Sequence, residues 1–403
     1  MDCIDLATDK NTCCGCGACS NICPKKAITM QEDEKGFIYP KIDESKCIKC
    51  GLCLKTCAYK NRETKTKVIN AYAAVCTDND MLLKSASGGV FATIALNIIR
   101  QGGVVFGCSM EKDLEGRLEP QHIKITKIEE LVKLQGSKYV QSNTKNIYLQ
   151  VKEELQNNKK VLFSGTPCQV AALKSFIGNN KIDNLYTIDI ICHGIPSSRM
   201  FKDYVKYVED KKHIKITNFT FREKSKGKGY FSKIEYIKKG KNKSIIRPAI
   251  NVSYFQMFLK SINIRENCYA CPYANSSRVG DITLGDYWGI DKEHPDDLKK
   301  NDIKSSKGVS CIMVNNEKGQ NLINDYATSL VKIDSKLEKV QKHNGQLKSP
   351  CDYTLKHEQL INLYKVDNYS KIEKWYKKQE GMNYYIKSIW YRIPYWLRKR
   401  IKK

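Results

Sequence analysis

The chain has 403 residues, with 69 Lys or Arg against 43 Asp or Glu and a formal net charge of +26. Its length exceeds the usual ~100–200 residues of one domain, and it lacks the run of ~18 apolar residues that a membrane-spanning helix needs. The basic excess indicates an anionic partner, but no nucleic-acid-binding motif accompanies it, so we expect no nucleic acid among its partners.

Two cysteine runs with the spacing C-x2-C-x2-C-x3-C come first in the chain. This spacing is typical of bacterial ferredoxins, because three thiolates of one loop reach one Fe4S4 cube and the fourth cysteine ligates the cube of the other loop. We therefore predict a ferredoxin domain over residues 1–62 with two 4Fe-4S clusters. The predicted ligands are Cys13, Cys16, Cys19 and Cys57 for the first cluster, and Cys47, Cys50, Cys53 and Cys23 for the second.

Two other uses of these cysteines fit the sequence less well. Structural zinc sites separate two CxxC pairs by about a dozen residues or more, whereas each run here places four cysteines within eleven positions. Disulfide frameworks belong to short secreted chains, and this sequence begins without the basic and apolar segments of an export signal. We expect reduced thiols and a cytoplasmic location.

After a charged linker at 59–67, strands and helices alternate, which indicates an α/β core with a mainly parallel sheet. Strands are predicted at 71–75, 104–106, 161–163 and 186–191, and helices from position 90 and at 147–156, 168–176 and 198–209. Between 214 and 247, alternating segments joined by Lys- and Gly-rich turns predict antiparallel hairpins. The fold class is thus α+β or mixed α/β, with a small dicluster domain followed by a larger core. The core divides into 68–150 and 151–320, followed by a helical extension at 321–380 and a tail at 381–403.

Glycine and hydroxyl residues lie at the ends of several predicted strands. Backbone N–H groups at glycine-rich turns and helix N-termini form a cradle for phosphate, and Lys138 could add a counter-charge. The same glycines could simply serve turns that require positive φ, and the pattern matches neither a Walker A loop nor GxGxxG. The candidate residues are Ser87, Gly88, Gly89, Gly136, Ser137, Lys138, Gly165 and Thr166.

Four further cysteines lie in the larger domain. Cys168 and Cys192 follow predicted strands, and Cys268 and Cys271 form a CxxC pair. Since loops at the carboxyl ends of parallel strands meet at one edge of the sheet, these four thiols could lie close together. The remaining cysteines have no partner at ligand spacing and are interpreted as small apolar residues or surface thiols. They are Cys3, Cys14, Cys76, Cys108, Cys311 and Cys351.

Five segments resemble the family of coenzyme F-420 hydrogenase and dehydrogenase beta subunits, in which a ferredoxin module at the front is a common fusion. They are 136–142 (GSKYVQS), 163–169 (FSGTPCQ), 191–197 (ICHGIPS), 268–271 (CYAC) and 280–289 (GDITLGDYWG). The resemblance implies that the core binds FAD through the glycine-rich turns. It also implies a third 4Fe-4S cluster, with the ligands Cys168, Cys192, Cys268 and Cys271.

The leading hypothesis is an iron–sulfur flavin oxidoreductase. It would move electrons between the ferredoxin clusters, the third cluster, FAD and an organic two-electron partner. The Lys-, Asn- and Ile-rich composition resembles that of an AT-rich anaerobic bacterium. Family members from such bacteria often lie among genes for surface polysaccharides, so the resemblance implies a role in surface polysaccharide synthesis. One alternative is a non-catalytic electron-transfer subunit that serves a redox protein partner. Another is a subunit that uses the deazaflavin coenzyme F-420, and a third, weaker one is an assembly protein that retains its clusters.

The C-terminal tail combines apolar, aromatic and basic residues. Its apolar residues recur at helical spacing, and Pro394 would kink such a helix. Segments of this kind bind at membrane interfaces, so we predict peripheral contact with an anionic membrane on its inner face. The alternative is a terminal helix packed on its own domain. The apolar residues are Ile386, Ile389, Trp390, Ile393 and Leu397.

Overall fold

The computed structural model describes residues 9–60, 66–178, 183–227, 230–366 and 368–401. Cys3, most of the predicted linker and the last two lysines lie outside these ranges. A small N-terminal domain precedes an eight-stranded sheet with helices on both faces, and a smaller lobe is built on a three-stranded sheet. The predicted mixed α/β class, with a small leading domain and antiparallel hairpins, is confirmed. Across the described ranges no helix is long and apolar enough to cross a membrane.

The N-terminal domain pairs two short strands with two short helices. Its elements are α1 (Ala18–Ile22), β1 (Ile28–Glu32), β2 (Ile38–Ile42) and α2 (Leu52–Lys55). Each helix begins after a glycine with a left-handed backbone, Gly17 with φ of 79° and Gly51 with φ of 73°. Only glycine adopts this conformation without strain, so the chain can turn sharply within each cysteine run.

The large sheet is mixed rather than mainly parallel. Its strands are β3 (Asn70–Cys76), β4 (Val104–Lys112), β5 (Leu118–Ile125), β6 (Val161–Gly165), β7 (Leu185–Ile190), β11 (Ile282–Asp286), β12 (Ser310–Val314) and β13 (Leu330–Ser335). The order is β13-β3-β12-β11-β7-β6-β4-β5. Only the central strands β4, β6, β7 and β11 pair in parallel, and antiparallel strands extend the sheet on both sides. Strand β3 nevertheless runs in the same direction as the centre, because two antiparallel pairings separate it from β11.

Helices cover both faces of this sheet. One face packs against α4 (Val90–Arg100), α5 (Leu131–Leu134) and α12 (Glu317–Tyr326). The other packs against α6 (Ile147–Gln156), α7 (Pro167–Ile177), α10 (Ile290–Glu293), α11 (Pro295–Lys300) and α13 (Leu337–His343). Helix α3 (Asn79–Lys84) follows β3. Apolar residues at helical spacing explain these contacts; in α4, Val90, Ile94 and Ile98 are all buried against the sheet.

The smaller lobe contains the predicted hairpins and an aromatic core. Its strands are β8 (Lys215–Thr220), β9 (Phe231–Lys238) and β10 (Lys241–Pro248), all antiparallel. Its helices are α8 (Ser198–Lys212), α9 (Ser253–Leu259), α14 (Leu355–Val366) and α15 (Tyr369–Glu380), and the chain ends in α16 (Met382–Trp390) and α17 (Tyr395–Ile401). One buried cluster, which includes Phe201, Phe219 and Tyr254, joins strands and helices of the lobe.

One sequence prediction differs from this architecture, and one strand of the large sheet was not predicted. The segment 321–380, predicted to be a helical extension, contains β13, which pairs with β3 and therefore belongs to the large sheet. Strand β5 was not predicted, because it carries Pro120 and charged residues and lacks the apolar run of a central strand. Such residues are tolerated in an edge strand, where one side of the backbone is unpaired. The structure confirms the predicted helix at 147–156 to the residue.

Candidate functional site

The first ferredoxin-type group of cysteines lines one small, partly open cavity. Cys13, Cys16, Cys19 and Cys57 all line it, together with Met30, Pro40 and Tyr59. Its volume is about 390 Å³. The first three ligand cysteines of the first run thus gather with the last cysteine of the second run, as the crossed assignment requires.

The second group gathers in the same crossed manner. Cys47, Cys50 and Cys53 line a cavity of about 350 Å³ with Cys23 from the first run. Two of the side chains that line it, Cys50 and Ile48, are exposed at the surface. The residue-by-residue ligand assignment stays a prediction, and the grouping supports it.

The first cluster loop is fixed to the core by hydrogen bonds to its backbone carbonyls. The Thr144 hydroxyl donates to the carbonyl oxygen of Cys16 at 2.8 Å, and the Tyr148 hydroxyl donates to the same oxygen at 3.0 Å. Gly15 must remain glycine here, because its φ is +65° and a Cβ would lie 2.5 Å from the carbonyl oxygen of Ile38. The first group is therefore held against α6 and α7.

The four remaining candidate ligands come from three different loops and meet at a third cavity. Cys168, Cys192, Cys268 and Cys271 all line this cavity, whose volume is about 490 Å³. Cys168 lies at the start of α7, Cys192 follows β7, and the CxxC pair lies between α9 and β11. Convergence at the carboxyl edge of the parallel strands is the placement that the sequence predicted.

Two cysteines that sequence reasoning treated as ordinary also line the third cavity. Cys14 lines both the first and the third cavity, and Cys351 lines the third. The thiol of Cys351 donates to the carbonyl oxygen of His193 at 3.1 Å. Neither position could be recognised from spacing, because Cys14 is brought to this place by domain docking and Cys351 is far from the other cysteines in sequence.

Burial disfavours the free thiolate at three of these cysteines. Burial raises the pKa of Cys13 to about 11 and raises the pKa of Cys192 and Cys268 as well. Cys168 differs from these three, with a pKa lowered to about 7, chiefly by a hydrogen bond from the Cys14 thiol. A buried thiol of raised pKa gives up its proton when a metal binds it, because the metal charge replaces the proton.

The four cysteines of each group line one cavity. Within the described part of the chain, no three His, Cys, Asp or Glu side chains converge closely enough to hold one metal ion. All cysteines in the described ranges are free of disulfides.

A fourth and much larger cavity lies beside the third. It measures about 1310 Å³ with its open mouth, and residues of β4, β6, β7 and β11 contribute to its walls. Seven of the eight candidate cofactor residues line it: Ser87, Gly89, Gly136, Ser137, Lys138, Gly165 and Thr166. The space within it that is free for a ligand is about 300 Å³, at the lower end of the roughly 300–1,000 Å³ of small-molecule and cofactor sites.

The eighth candidate, Gly88, points away from the large cavity. Its N–H donates to the Ser310 hydroxyl at 2.8 Å, and a Cβ on it would lie 2.2 Å from the carbonyl oxygen of Ala74. Gly88 therefore supports the turn by allowing close backbone approach. The ammonium of Lys138 donates to the carbonyl oxygens of Lys133 in α5 and of Gln135 and Gly136, at 2.7 to 3.3 Å, so part of its charge is used to hold the turn after α5.

One lining residue that the sequence did not indicate is His122. Its Nε2 donates to the carbonyl oxygen of Ser164 at 3.2 Å, and its Nδ1 accepts from the Ser142 hydroxyl at 3.0 Å. Gln169 donates to Ser142 at 2.9 Å and accepts from the backbone N–H of Thr166 at 3.1 Å. This chain of bonds joins the wall of the large cavity to the turn that carries Cys168.

Three family descriptions match the sequence. Two of them are the halves of the family described as "Coenzyme F420 hydrogenase/dehydrogenase, beta subunit", whose N-terminal part matches residues 71–147 and whose C-terminal part matches residues 158–337. The third, "4Fe-4S dicluster domain", matches residues 12–61 and confirms that the N-terminal domain is of the kind that binds 4Fe-4S clusters.

Individual relatives share this sequence at low identity. An uncharacterised protein of Methanocaldococcus jannaschii is 24% identical over 371 residues, which are 83% of this chain and 92% of the relative. The F subunit of the F420H2 dehydrogenase of Methanosarcina mazei is 22% identical over 192 residues, 45% of this chain and 53% of that relative. Similar solved structures include the F420-reducing NiFe hydrogenase complex from Methanosarcina barkeri, at 17% identity and a TM-score of 0.43, covering 79% of this chain and 95% of that one.

Proposed function

We propose that this chain, which belongs to the family of coenzyme F420 hydrogenase and dehydrogenase beta subunits, is an iron–sulfur electron-transfer subunit that also binds FAD. When bound, the clusters would carry single electrons and FAD would exchange an electron pair with a two-electron partner. The chain's own residues would hold these groups in order, exclude water from them and set their potentials.

The proposal rests on the observation that neighbouring cavities share residues in their walls. Cys14 and Tyr59 line both the first and the third cysteine cavity. Ile195 lines both the third cavity and the large cavity. The Thr166 hydroxyl, which lines the large cavity, lies 3.2 Å from the Cys168 thiol. Three cofactor sites separated by single side chains support stepwise electron transfer between them.

The surface around the second cysteine cavity, on the opposite side of the first cavity from the large one along the electron path, suits the binding of an external redox protein. Its Cys50 and Ile48 side chains are exposed, and Lys25, which also lines the cavity, is exposed as well. Lys26 and Lys49, which are next to Lys25 and Cys50 in sequence, are also exposed. A basic rim around a small apolar contact suits an acidic redox protein, because complementary charge speeds association. We propose that electrons enter or leave the chain at this surface.

The relatives favour the electron-transfer role over a self-contained enzyme with its own organic substrate. One relative with a named activity is a subunit of an F420H2 dehydrogenase. By this likeness, the two-electron partner at the large cavity would be a deazaflavin. A role in surface polysaccharide synthesis gains no support from these relatives.

Flavin binding has a direct test with a matched control. Anaerobically purified protein should contain FAD, or bind it after reconstitution with intact clusters. Ser137→Trp, which fills the large cavity, should abolish flavin binding, whereas Ser225→Trp at an exposed turn should leave it unchanged. Absence of flavin from native and reconstituted protein, with full iron content, would refute the FAD assignment.

The deazaflavin assignment is tested separately. Reduced coenzyme F-420, mixed with oxidised protein without oxygen, should bleach the clusters and become oxidised itself. If a reduced ferredoxin bleaches the clusters but the deazaflavin does not, the chain transfers electrons to or from another two-electron partner.

A further inference from the structure

The last two helices turn their most apolar side chains away from the protein. Six of these side chains are more than half exposed: Met382, Tyr385, Ile386, Ile389, Trp396 and Ile401. The first four occupy positions i, i+3, i+4 and i+7 of α16 and therefore form one face of that helix. A continuous exposed face of this kind marks a binding surface, unlike single apolar residues scattered over a surface.

The opposite side of the same helices is docked on the small lobe. Ser388 is buried and accepts a hydrogen bond from the Asn251 amide at 3.0 Å. The Tyr391 ring meets Phe231 edge-on with 5.6 Å between centroids, and the buried Arg398 lies 5.0 Å above the Tyr391 ring. The tail is thus packed through one side only, and these contacts hold its apolar face outward.

The charge around the apolar face has one sign. From residue 381 to the end, the sequence has seven basic residues and no acidic residue. Lys387, Arg392 and Arg400 are exposed, and the Arg400 guanidinium lies 5.6 Å above the Trp396 ring. Aromatic and basic side chains around an apolar helix face are typical of helices that lie in the headgroup region of anionic membranes.

We propose that α16 and α17 bind the surface of an anionic lipid membrane, with the exposed face of α16 inserted among the headgroups. Anionic lipid matches both the exposed apolar face of α16 and the basic side chains around it. A second copy of the chain would bring two uniformly basic tails together, and each copy carries a formal charge of +26, so self-association through this face is disfavoured.

The test uses the full chain and vesicles of phosphatidylcholine with or without phosphatidylglycerol. The wild-type protein should sediment with the anionic vesicles and be released as salt rises, because the basic side chains act within a Debye length. Ile386→Ser combined with Ile389→Ser should weaken this binding about tenfold or more. The control pair, Ile69→Ser with Leu114→Ser, removes exposed apolar side chains elsewhere on the surface and should bind like wild type.

Iron content and circular dichroism, measured on both double variants, should match wild type because the substituted side chains are exposed. Failure of the wild type to bind anionic vesicles would overturn the proposal. Equal loss in the tail pair and the control pair would also overturn it, as would equal binding to vesicles of phosphatidylcholine alone. A concentration-dependent dimer that only the tail pair loses would assign the face to a second copy and overturn it too.

Discussion

The guanidinium of Arg265 donates a hydrogen bond to the backbone carbonyl oxygen of Cys13 at 2.9 Å, while the same side chain lines the third cysteine cavity. Arg265 is fully buried, and its other hydrogen bonds go to the neutral oxygens of Ile38, Gln141 and Asn267. Among the described residues no carboxylate forms an ion pair with it. Since an unpaired buried charge is costly, we infer that the thiolates of the proposed first and third clusters, on either side of Arg265, would supply its counter-charge.

We predict that Arg265→Gln lowers the midpoint potentials of the first and third clusters. A nearby positive charge stabilises the reduced cluster, which carries more negative charge, so removing it disfavours reduction. A tenfold change in the one-electron equilibrium corresponds to about 59 mV, and a shift of that order is expected. The measurement is a redox titration followed by electron paramagnetic resonance.

The second cluster is the internal control for this prediction, because its cavity does not include Arg265. Arg265→Lys keeps the charge and should shift the potentials less than Arg265→Gln. Equal shifts at all three clusters, or unchanged potentials with full iron content, would contradict the role of the Arg265 charge.

Iron content should distinguish the ligands of the third cavity from its other cysteines. Cys271→Ser should remove about one third of the roughly twelve iron atoms that three 4Fe-4S clusters contain. Cys351→Ser is the matched control, because Cys351 lines the same cavity but bonds to the carbonyl of His193. Iron analysis and absorption in the visible range, on anaerobic protein, provide the measurement. If Cys271→Ser retained all its iron while Cys351→Ser lost iron, Cys351 rather than Cys271 would be the cluster ligand.

The parts of the site that follow from local sequence patterns could be predicted, whereas the parts that depend on contacts between distant elements could not. The crossed grouping of Cys23 with the second run and Cys57 with the first follows from local spacing, and the cavities reproduce it. The convergence of Cys168 with the CxxC pair followed from the rule that parallel strands end at one edge. In contrast, Arg265, His122 and Cys14 acquire their positions from contacts between elements distant in sequence, which no local pattern reveals.

The strands of the large sheet could likewise be predicted only where their own sequences are distinctive. Central strands such as β6 and β7 are short apolar runs followed by turns, so their sequences predict them. Strand β13 has only one fully buried side chain, Ile333, and therefore lacks a clear strand pattern. Its place is determined by pairing with β3, which extends the sheet beyond its parallel centre.

Gly88 should be essential for stability rather than for direct contact with a cofactor. Gly88→Ala would place a methyl group 2.2 Å from the carbonyl oxygen of Ala74 and 2.6 Å from the backbone nitrogen of Ser310. Both atoms belong to sheet backbone and can shift only slightly, so a loss of about 1–3 kcal/mol or more in unfolding free energy is expected. Anaerobic denaturant unfolding provides the measurement.

Gly345→Ala is the matched control for Gly88→Ala. Neither glycine has positive φ, and no atom lies within 4 Å of the Cβ position of Gly345. We expect Gly345→Ala to leave stability unchanged or slightly higher, because alanine restricts the unfolded chain more than glycine does. Equal stability of the two variants would show that the β3 backbone yields to the added methyl group.

His122 should make stability depend on pH in a defined window. Burial lowers its pKa to about 4, whereas an unfolded imidazole titrates near ~6.5. Between these values the unfolded state binds more protons, so stability rises with pH, and this contribution is lost as pH falls from about 6.5 towards 4. The slope approaches one proton, or ~1.4 kcal/mol per pH unit.

His122→Gln should remove this slope, because glutamine fills a similar space without titrating. Its amide can still donate to the Ser164 carbonyl or accept from the Ser142 hydroxyl, the two bonds that the imidazole makes. Unfolding free energies of wild type and variant, measured from about pH 4.5 to 8, should differ by a constant amount above about pH 7. Below about pH 6.5 the wild type should lose stability faster than the variant. The difference between their unfolding free energies should then change by up to ~1.4 kcal/mol per pH unit, the effect of one proton. Because acid damages the clusters of both proteins alike, the comparison isolates the imidazole. Parallel curves across the whole range would mean that His122 titrates near its unfolded value and is hydrated in the folded protein.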